Sequence, residues 1–297
     1  MNTLWFIAAL LVPFIWGIQA VMLKFGIGQF PPIFMVSLRF LIMFICLAPF
    51  LMRLKGQFLH ASTIGLTQGV AHFALLYIGF KYADVTSGMI VYQTNTIFTL
   101  ILGSLILGER LTKYGFIGTF VCLIGVSFIL GLPQENTSIA GLAIIACSAF
   151  MFAVGNIFVR KLGPFDPIGL NATVSMIAFP ALLALSFTIE ENQIQSMLEA
   201  TPLAWGALLY TALLGGILAF ILWYKLLGKF SIDKVSPFSL LMPFFAMLGS
   251  VVLLNEEITW SNGVGALITV GGIIIIQYGE KFMTRKQTPA PQEVMQN

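Results

Sequence analysis

Charged side chains are scarce in this sequence. Only 9% of its 297 residues are Asp, Glu, Lys or Arg, whereas 58% are hydrophobic. Soluble domains run to about a quarter charged. Fifteen basic and twelve acidic groups cannot cover the water-facing surface of a chain this long, so a soluble globule is excluded and lipid must be the solvent. Cysteine is scarce as well: Cys46, Cys122 and Cys147 all lie in apolar runs without the C-x-x-C spacing of a metal site, and read as packing residues. Also missing are H-E-x-x-H and a glycine-rich phosphate loop ending in G-K-[ST], so an enzymatic role lacks its tools and no metal or cofactor is expected. Without an ATP-binding motif, any transport has to be secondary. The net charge of +3 is not gathered on a segment that could track phosphates, which argues against nucleic-acid binding.

What the chain has instead is a series of long apolar runs. A helix rises about 1.5 Å per residue, so roughly 20 apolar residues cross the hydrocarbon core. Ten runs meet this length: Leu4–Leu23, Pro32–Met52, Ser62–Phe80, Ser87–Leu107, Tyr114–Leu130, Ile139–Val159, Pro167–Ile189, Leu203–Leu227, Val235–Leu254 and Ser261–Gly279. The first begins almost at Met1, lacks a basic leader and is about as long as a bilayer is thick, so it is read as span 1 rather than a signal peptide. Breaks such as Gly28-Gln29-Phe30-Pro31-Pro32 and Gly163-Pro164-Phe165-Asp166-Pro167 separate the runs. The short loops make neighbouring spans antiparallel.

With the N-terminus on one side, the loops of that side hold Arg53, Lys55, Arg110, Lys113, Arg160, Lys161, Lys225, Lys229, Lys234, Lys281, Arg285 and Lys286, and the other side holds Lys24, Arg39 and Lys81. The positive-inside rule then predicts a multi-pass cell-membrane protein with both termini cytoplasmic. Residues 282–297 are polar and Pro-containing and are expected to form a disordered tail on that surface.

The chain also repeats. A shift of 147 residues lays Gly108-Glu109-Arg110-Leu111-Thr112 on Asn255-Glu256-Glu257-Ile258-Thr259, and Gly118 and Gly125 on Gly265 and Gly272. A register near 137 lays Gln19 and Lys24 on Asn156 and Lys161. The expected architecture is therefore all-α and integral to the membrane, ten transmembrane helices forming two five-helix repeats over residues 1–132 and 139–281. Five is odd, so the second copy enters from the opposite face. Inverted repeats of this kind underlie alternating access, with a midplane site between the halves.

The sequence resembles the drug/metabolite transporter superfamily, and within it the EamA-type family. The resemblance is carried by Trp16-Gly17, Leu38-Arg39-Phe40, Gly108-Glu109-Arg110-Leu111-Thr112, Gly155-Asn156-Ile157-Phe158, the run Ser236-Pro237-Phe238-Ser239-Leu240-Leu241-Met242-Pro243, and Glu256. It covers nearly all of residues 4–281 and implies a five-helix unit used twice. The segments of spans 6 and 9 are most similar to the branch that exports amino acids and related metabolites. One departure is Asn255-Glu256-Glu257, where the family pattern is Gly-Glu-Arg or Asp-Glu-Arg.

Polar side chains deep in a span are costly unless they face partners or a wet cavity. Gln19, Gln68, His72, Gln93, Asn95, Asn156 and Ser239 meet that test, with Gln68 and His72 on one face of span 3 and Tyr92, Thr96 and Thr99 forming a polar stripe on span 4. Trp16 and Tyr210 join them as substrate-cavity candidates. Spans 1, 3, 4, 6, 8 and 9 are expected to surround one cavity. The alternative for each polar residue is an interhelical hydrogen bond, worth about 1 kcal/mol. Tyr77, Trp223 and Tyr224, near helix ends, read as interfacial anchors.

Arg39 lies seven residues into span 2. Two uses compete for it: holding loop or helix-end carbonyls, or attracting a substrate carboxylate bidentately. Glu109 and Glu256 sit at equivalent helix ends and read as gate or fold contacts. No Asp or Glu occupies the middle of a span, which leaves His72 as the titratable group at depth, either a proton-coupling residue or a neutral hydrogen-bonding one. Gly65 and Gly69 allow close helix approach, inside the monomer or in a homodimer. The expected partners are a small-molecule substrate, an amino acid or metabolite, and the lipid bilayer; a monomer can function, and the sequence does not fix an oligomer. A channel, sensor or membrane enzyme is the rival class, but a channel needs a ring of repeated polar groups, which two copies supply poorly.

Overall fold

The computed structural model describes residues 3–26, 29–54, 56–83, 85–109, 112–131, 138–255, 257 and 259–284. It is an all-helical bundle. Ten segments are long and apolar enough to cross a membrane: span 1 within Thr3–Gly26, then Pro32–Leu54, Phe58–Phe80, Ser87–Leu107, Lys113–Leu130, Ile139–Leu162, Pro167–Ile189, Pro202–Lys229, Ile232–Leu254 and, as span 10, Trp260–Thr284. A short helix, Gln193–Glu199, lies between spans 7 and 8. The expected boundaries fall a few residues short at several ends. The last helix runs on to Thr284, three residues into the segment expected to be a tail, while residues 285–297 lie outside the described residues.

Polar residues at the helix starts set these boundaries. Thr112, Ser138, Asp166 and Thr201 each accept the backbone N–H three residues on, at Gly115, Gly141, Gly169 and Ala204, and so satisfy one of the orphan donors of spans 5 to 8. Pro167 and Pro202 follow the last two caps at the first helical position, where a missing N–H costs nothing. Spans 4 and 9 end in the same way, on Gly108 at φ 67° and Asn255 at φ 54°. These are the repeat-equivalent positions, and glycine and asparagine are the residues that tolerate a left-handed C-cap.

Solvent preference is inverted relative to a soluble protein. Phe116, Ile117, Phe120, Ile124 and Phe128 on span 5 and Leu267 and Ile274 on span 10 are exposed, while Gln68, His72, Asn95, Thr96, Thr99, Ser148 and Asn156 are buried. Apolar groups face lipid and polar groups turn inward, as backbone and side-chain polarity require in a bilayer.

The two copies meet along spans 5 and 10, the most extensively packed pair in the bundle. A Cβ on Gly118 would stand 2.6 Å from the Gly272 carbonyl oxygen, and one on Gly125 2.7 Å from that of Gly265. Gly118 and Gly265 are repeat equivalents, as are Gly125 and Gly272, so each contact maps onto the other when the copies are exchanged. Cys122 and Thr269, 147 residues apart, lie between them, with the Cys122 thiol donating to the Thr269 carbonyl at 3.3 Å. Such self-complementary contact is the mark of a two-fold axis. The glycines cross in antiparallel order, so the copies have opposite orientation.

Irregular backbone recurs at equivalent depth. Span 3 contains a π-helical stretch at Gly65–Ala71 and span 8 one at Thr211–Leu218. Span 4 breaks at Gln93, between helices Val85–Tyr92 and Thr94–Leu107, and span 9 begins with a 3₁₀ stretch, Ser236–Leu241, before Met242–Leu254. Discontinuous or bulged helices within a membrane gather at functional sites. Gly65 and Gly69 pack against Val174, Ile177 and Ala178 of span 7, so their close approach is used inside the monomer.

Candidate functional site

The π stretch of span 3 turns Gln68 and His72 toward span 6. Gln68 Nε2 donates to the Asn156 side-chain oxygen at 2.8 Å and to the Phe152 carbonyl at 3.2 Å. The indole of Trp223 donates to the same Asn156 oxygen at 3.0 Å, and the Tyr224 hydroxyl donates to Gln68 Oε1 at 3.1 Å. Asn156 Nδ2 reaches Thr99 Oγ1 at 3.4 Å. Spans 3 and 4 of the first copy are thereby tied to spans 6 and 8 of the second by one buried network, in which each amide fixes the orientation of the other.

Trp223 and Tyr224 are 1% and 3% exposed, which corrects the expectation that they anchor at the membrane interface. Span 8 continues to Lys229, and its π stretch turns both rings into the bundle. Tyr77 is half-buried rather than lipid-facing and interacts electrostatically with Arg39.

One turn from Gln68, His72 Nδ1 lies 2.9 Å from Ser148 Oγ, whose own proton is directed at the His72 carbonyl at 2.8 Å. The hydroxyl has one hydrogen to give, so it accepts from the ring, and His72 carries its proton on Nδ1. Its ring stacks on Tyr92 at 5.6 Å and tilts against Phe152 at 5.1 Å.

The break at Gln93 fans out the polar stripe of span 4. Tyr92 faces His72, Thr96 Oγ1 meets Ser239 of span 9 at 3.0 Å, and Thr99 faces Asn156. Asn95 is buried and donates to the Tyr92 carbonyl, while buried Gln93 Nε2 finds no hydrogen-bond partner. On span 1, Trp16 donates to the Gly215 carbonyl of span 8 at 3.1 Å and lies 5.5 Å from Trp223. Gln19 presses on Gly215 and leaves its buried Oε1 without a partner. Tyr210 stands apart from the network, partly buried, its hydroxyl donating to the Ile15 carbonyl.

Arg39 is 3% exposed, and its guanidinium lies 5.1 Å from the Phe73 ring centre and 5.7 Å from that of Phe40. It interacts electrostatically with Tyr77, Tyr92, Tyr224 and His72. Span 2 thus joins the expected ring of spans 1, 3, 4, 6, 8 and 9.

Charge gathers at the two ends. Toward the basic end, Glu109 Oε1 accepts from Arg160 Nε at 3.1 Å and Oε2 accepts from the Ile232 backbone N–H at 2.7 Å. At the other end, Glu190 caps span 2, its two oxygens accepting the N–H groups of Ile33 and Phe34 at 2.8 and 2.9 Å. This cap was missed by the sequence reading. Glu256 lies outside the described residues. No group of three or more His, Cys, Asp or Glu side chains able to hold a metal occurs among the described residues.

The sequence matches the EamA-like transporter family over residues 3–131 and 139–278, the same two copies. The chain belongs to the EamA-like transporter family. It is 30% identical to a "Probable amino-acid metabolite efflux pump" of Salmonella typhimurium, over 91% of this chain and 94% of that protein. A protein of the same description from Escherichia coli is 27% identical over 93% of this chain and 95% of its own length. A solved crystal structure superposes with a TM-score of 0.81 at 15% identity, covering 97% of this chain and all of the other, and so shares the fold. This EamA-family chain is a multi-pass membrane transporter.

Proposed function

We propose that this EamA-family protein is a secondary exporter of amino acids or closely related small metabolites, working by alternating access in the cell membrane with both termini cytoplasmic. The observation that carries the reading is the hydrogen-bonded network of Gln68, Asn156, Trp223 and Tyr224, because it lies where the inverted copies meet. Substrate that displaces part of this network replaces direct contacts between the copies with contacts through itself, and can thereby bias their relative tilt. Two further features support it. The span 5 and span 10 seam is tight enough to serve as a pivot, and the paired irregular stretches of spans 3, 8, 4 and 9 provide backbone that can bend. The relatives described as probable amino-acid metabolite efflux pumps support the choice of substrate class.

The test is counterflow in proteoliposomes preloaded with each of the twenty amino acids. Saturable exchange of labelled amino acid, abolished in Asn156→Leu, is the expected result. Channel-sized conductance in a planar bilayer, or no exchange with any amino acid, overturns the proposal. Impermeant labelling of single cysteines placed at Ser62 and Gln195 checks the topology, with only the second reached from outside the cell.

A further inference from the structure

Arg39 is a buried cation that meets no counterion among the described residues. The two ion pairs among the described residues, Arg53 with Asp166 and Arg160 with Glu109, lie at helix ends and leave it aside. Its guanidinium makes no hydrogen bond to any described carbonyl or side chain, and Nε is wholly buried without a partner. The structural use foreseen for it, holding helix-end carbonyls, is therefore not observed. Aromatic faces at Phe40 and Phe73 ease the charge but offer no acceptor. An arginine at this depth is costly unless something completes it, and its five N–H donors in a rigid fork match a planar carboxylate bidentately, the anionic group that the amino-acid substrates of the exporter reading carry.

The opposite sign is missing. Asp166, Glu109, Glu190 and Asp233 stand at helix starts or ends, and no described Asp or Glu reaches the middle of a span. Among the described residues a substrate ammonium would meet only neutral groups there, hydroxyls, amides, an imidazole and ring faces, and no carboxylate. Resting on the exporter reading, we infer that Arg39 binds the carboxylate of the substrate and that the site takes small monocarboxylates as a class, with the α-amino group dispensable. A 2-hydroxy acid should then serve as well as its amino acid, and the decarboxylated amine should not serve at all.

Thermal stabilisation of the full-length protein in detergent tests this, using the twenty amino acids together with their 2-hydroxy-acid and decarboxylated-amine counterparts. The stabilising compounds should be acids, each amino acid and its hydroxy acid binding within about threefold of one another and no amine binding. Arg39→Gln should abolish the shifts while keeping the wild-type gel-filtration profile. If Arg39→Gln does not fold, Arg39→Lys decides, since it keeps the charge but loses the fork: binding at least about tenfold weaker is expected. Amines that stabilise as well as their parent acids, acids whose binding ignores either Arg39 variant, or a complete absence of stabilisation by acids overturns the inference. Counterflow separates the two proposals. Acid binding that depends on Arg39 without exchange sinks the exporter reading alone, and exchange indifferent to Arg39 sinks this inference alone.

Discussion

Glu109 of span 4 and Arg160 of span 6 meet at 3.1 Å, and through the second oxygen of Glu109 the pair reaches the first N–H of span 9. Arg160 also donates to the Leu227 and Gly228 carbonyls at the end of span 8. One carboxylate thus fastens the first copy to two helices of the second at the basic end, spans 6 and 9, and Arg160 ties that point to span 8 within the second copy.

Loosening this fastening should favour conformations open at that end. Glu109→Gln keeps an oxygen for the Ile232 N–H but loses the ion pair, whose side chains are 18% and 30% exposed and whose worth is therefore modest, about 0.5–1 kcal/mol. The expected effect is a two- to fivefold shift, roughly, in the population open at the basic end. Alkylation of a cysteine placed at Thr99, in a background lacking Cys46 and Cys147, should quicken by that factor from the basic side. An unchanged rate would remove Glu109 from the gate.

Glu190 lies 157 residues from the helix it caps. Its carboxylate meets the positive end of span 2 and also accepts from Ser186 Oγ at 2.8 Å. Glu190→Gln removes the charge and turns an amide toward one of these donors, at an expected cost of about 1–2 kcal/mol. The melting temperature should fall by a few degrees with exchange retained, and a melting temperature equal to wild type would show that the cap adds no stability.

The seam of spans 5 and 10 gives a sharper contrast. A methyl group on Gly125 would meet backbone, 2.7 Å from Gly265 O and 2.5 Å from Thr269 N, so the helices must separate. Gly271, on span 10, has nothing within 4 Å of its would-be Cβ. Gly125→Ala should therefore destabilise by about 1–3 kcal/mol, and Gly271→Ala should be neutral or slightly stabilising through helix propensity. Equal melting temperatures for the two variants would mean that the seam is not tightly packed.

Much of this fold was legible because length and register survive in one dimension. Ten apolar runs give the spans, the basic loops give the two ends, and the shift that lays Gly118 and Gly125 on Gly265 and Gly272 gives the two copies, although not that these glycines form the seam between them. The site was legible in part. Gln68, His72, Thr99 and Asn156 stand out as polar residues in apolar runs, but Trp223 and Tyr224 do not, since an aromatic residue near a helix end looks the same whether it meets lipid or a buried amide. Their inward turn depends on the π stretch at Thr211–Leu218, whose Leu- and Gly-rich sequence has no signature of its own. Glu190 escaped for a related reason: an acidic residue in a loop does not reveal a partner on a distant helix.

Asn156 is the acceptor shared by Gln68 and Trp223. Replacing it by leucine strands the indole N–H, whereas Trp223→Phe removes the donor and leaves the Gln68 bond intact. A double-mutant cycle on these positions should give a coupling of about 0.6–1.7 kcal/mol, the range of hydrogen bonds between membrane helices. Additive effects would mean that the indole and the amide are neighbours without a bond.

His72 separates structural from proton-coupling use. Ser148 Oγ spends its proton on the His72 carbonyl and accepts the Nδ1–H, an arrangement complete with a neutral ring. Gathering a second proton would place an imidazolium in the field of the Arg39 guanidinium, a like charge. His72→Asn keeps an N–H donor near the position of Nδ1 and cannot titrate. Exchange in vesicles bearing His72→Asn should respond to an imposed pH gradient just as the wild type does, with at most a modest loss of rate from the missing stack on Tyr92. If the response to the gradient vanishes while exchange under symmetric pH persists, His72 carries the coupled proton and the neutral assignment is wrong.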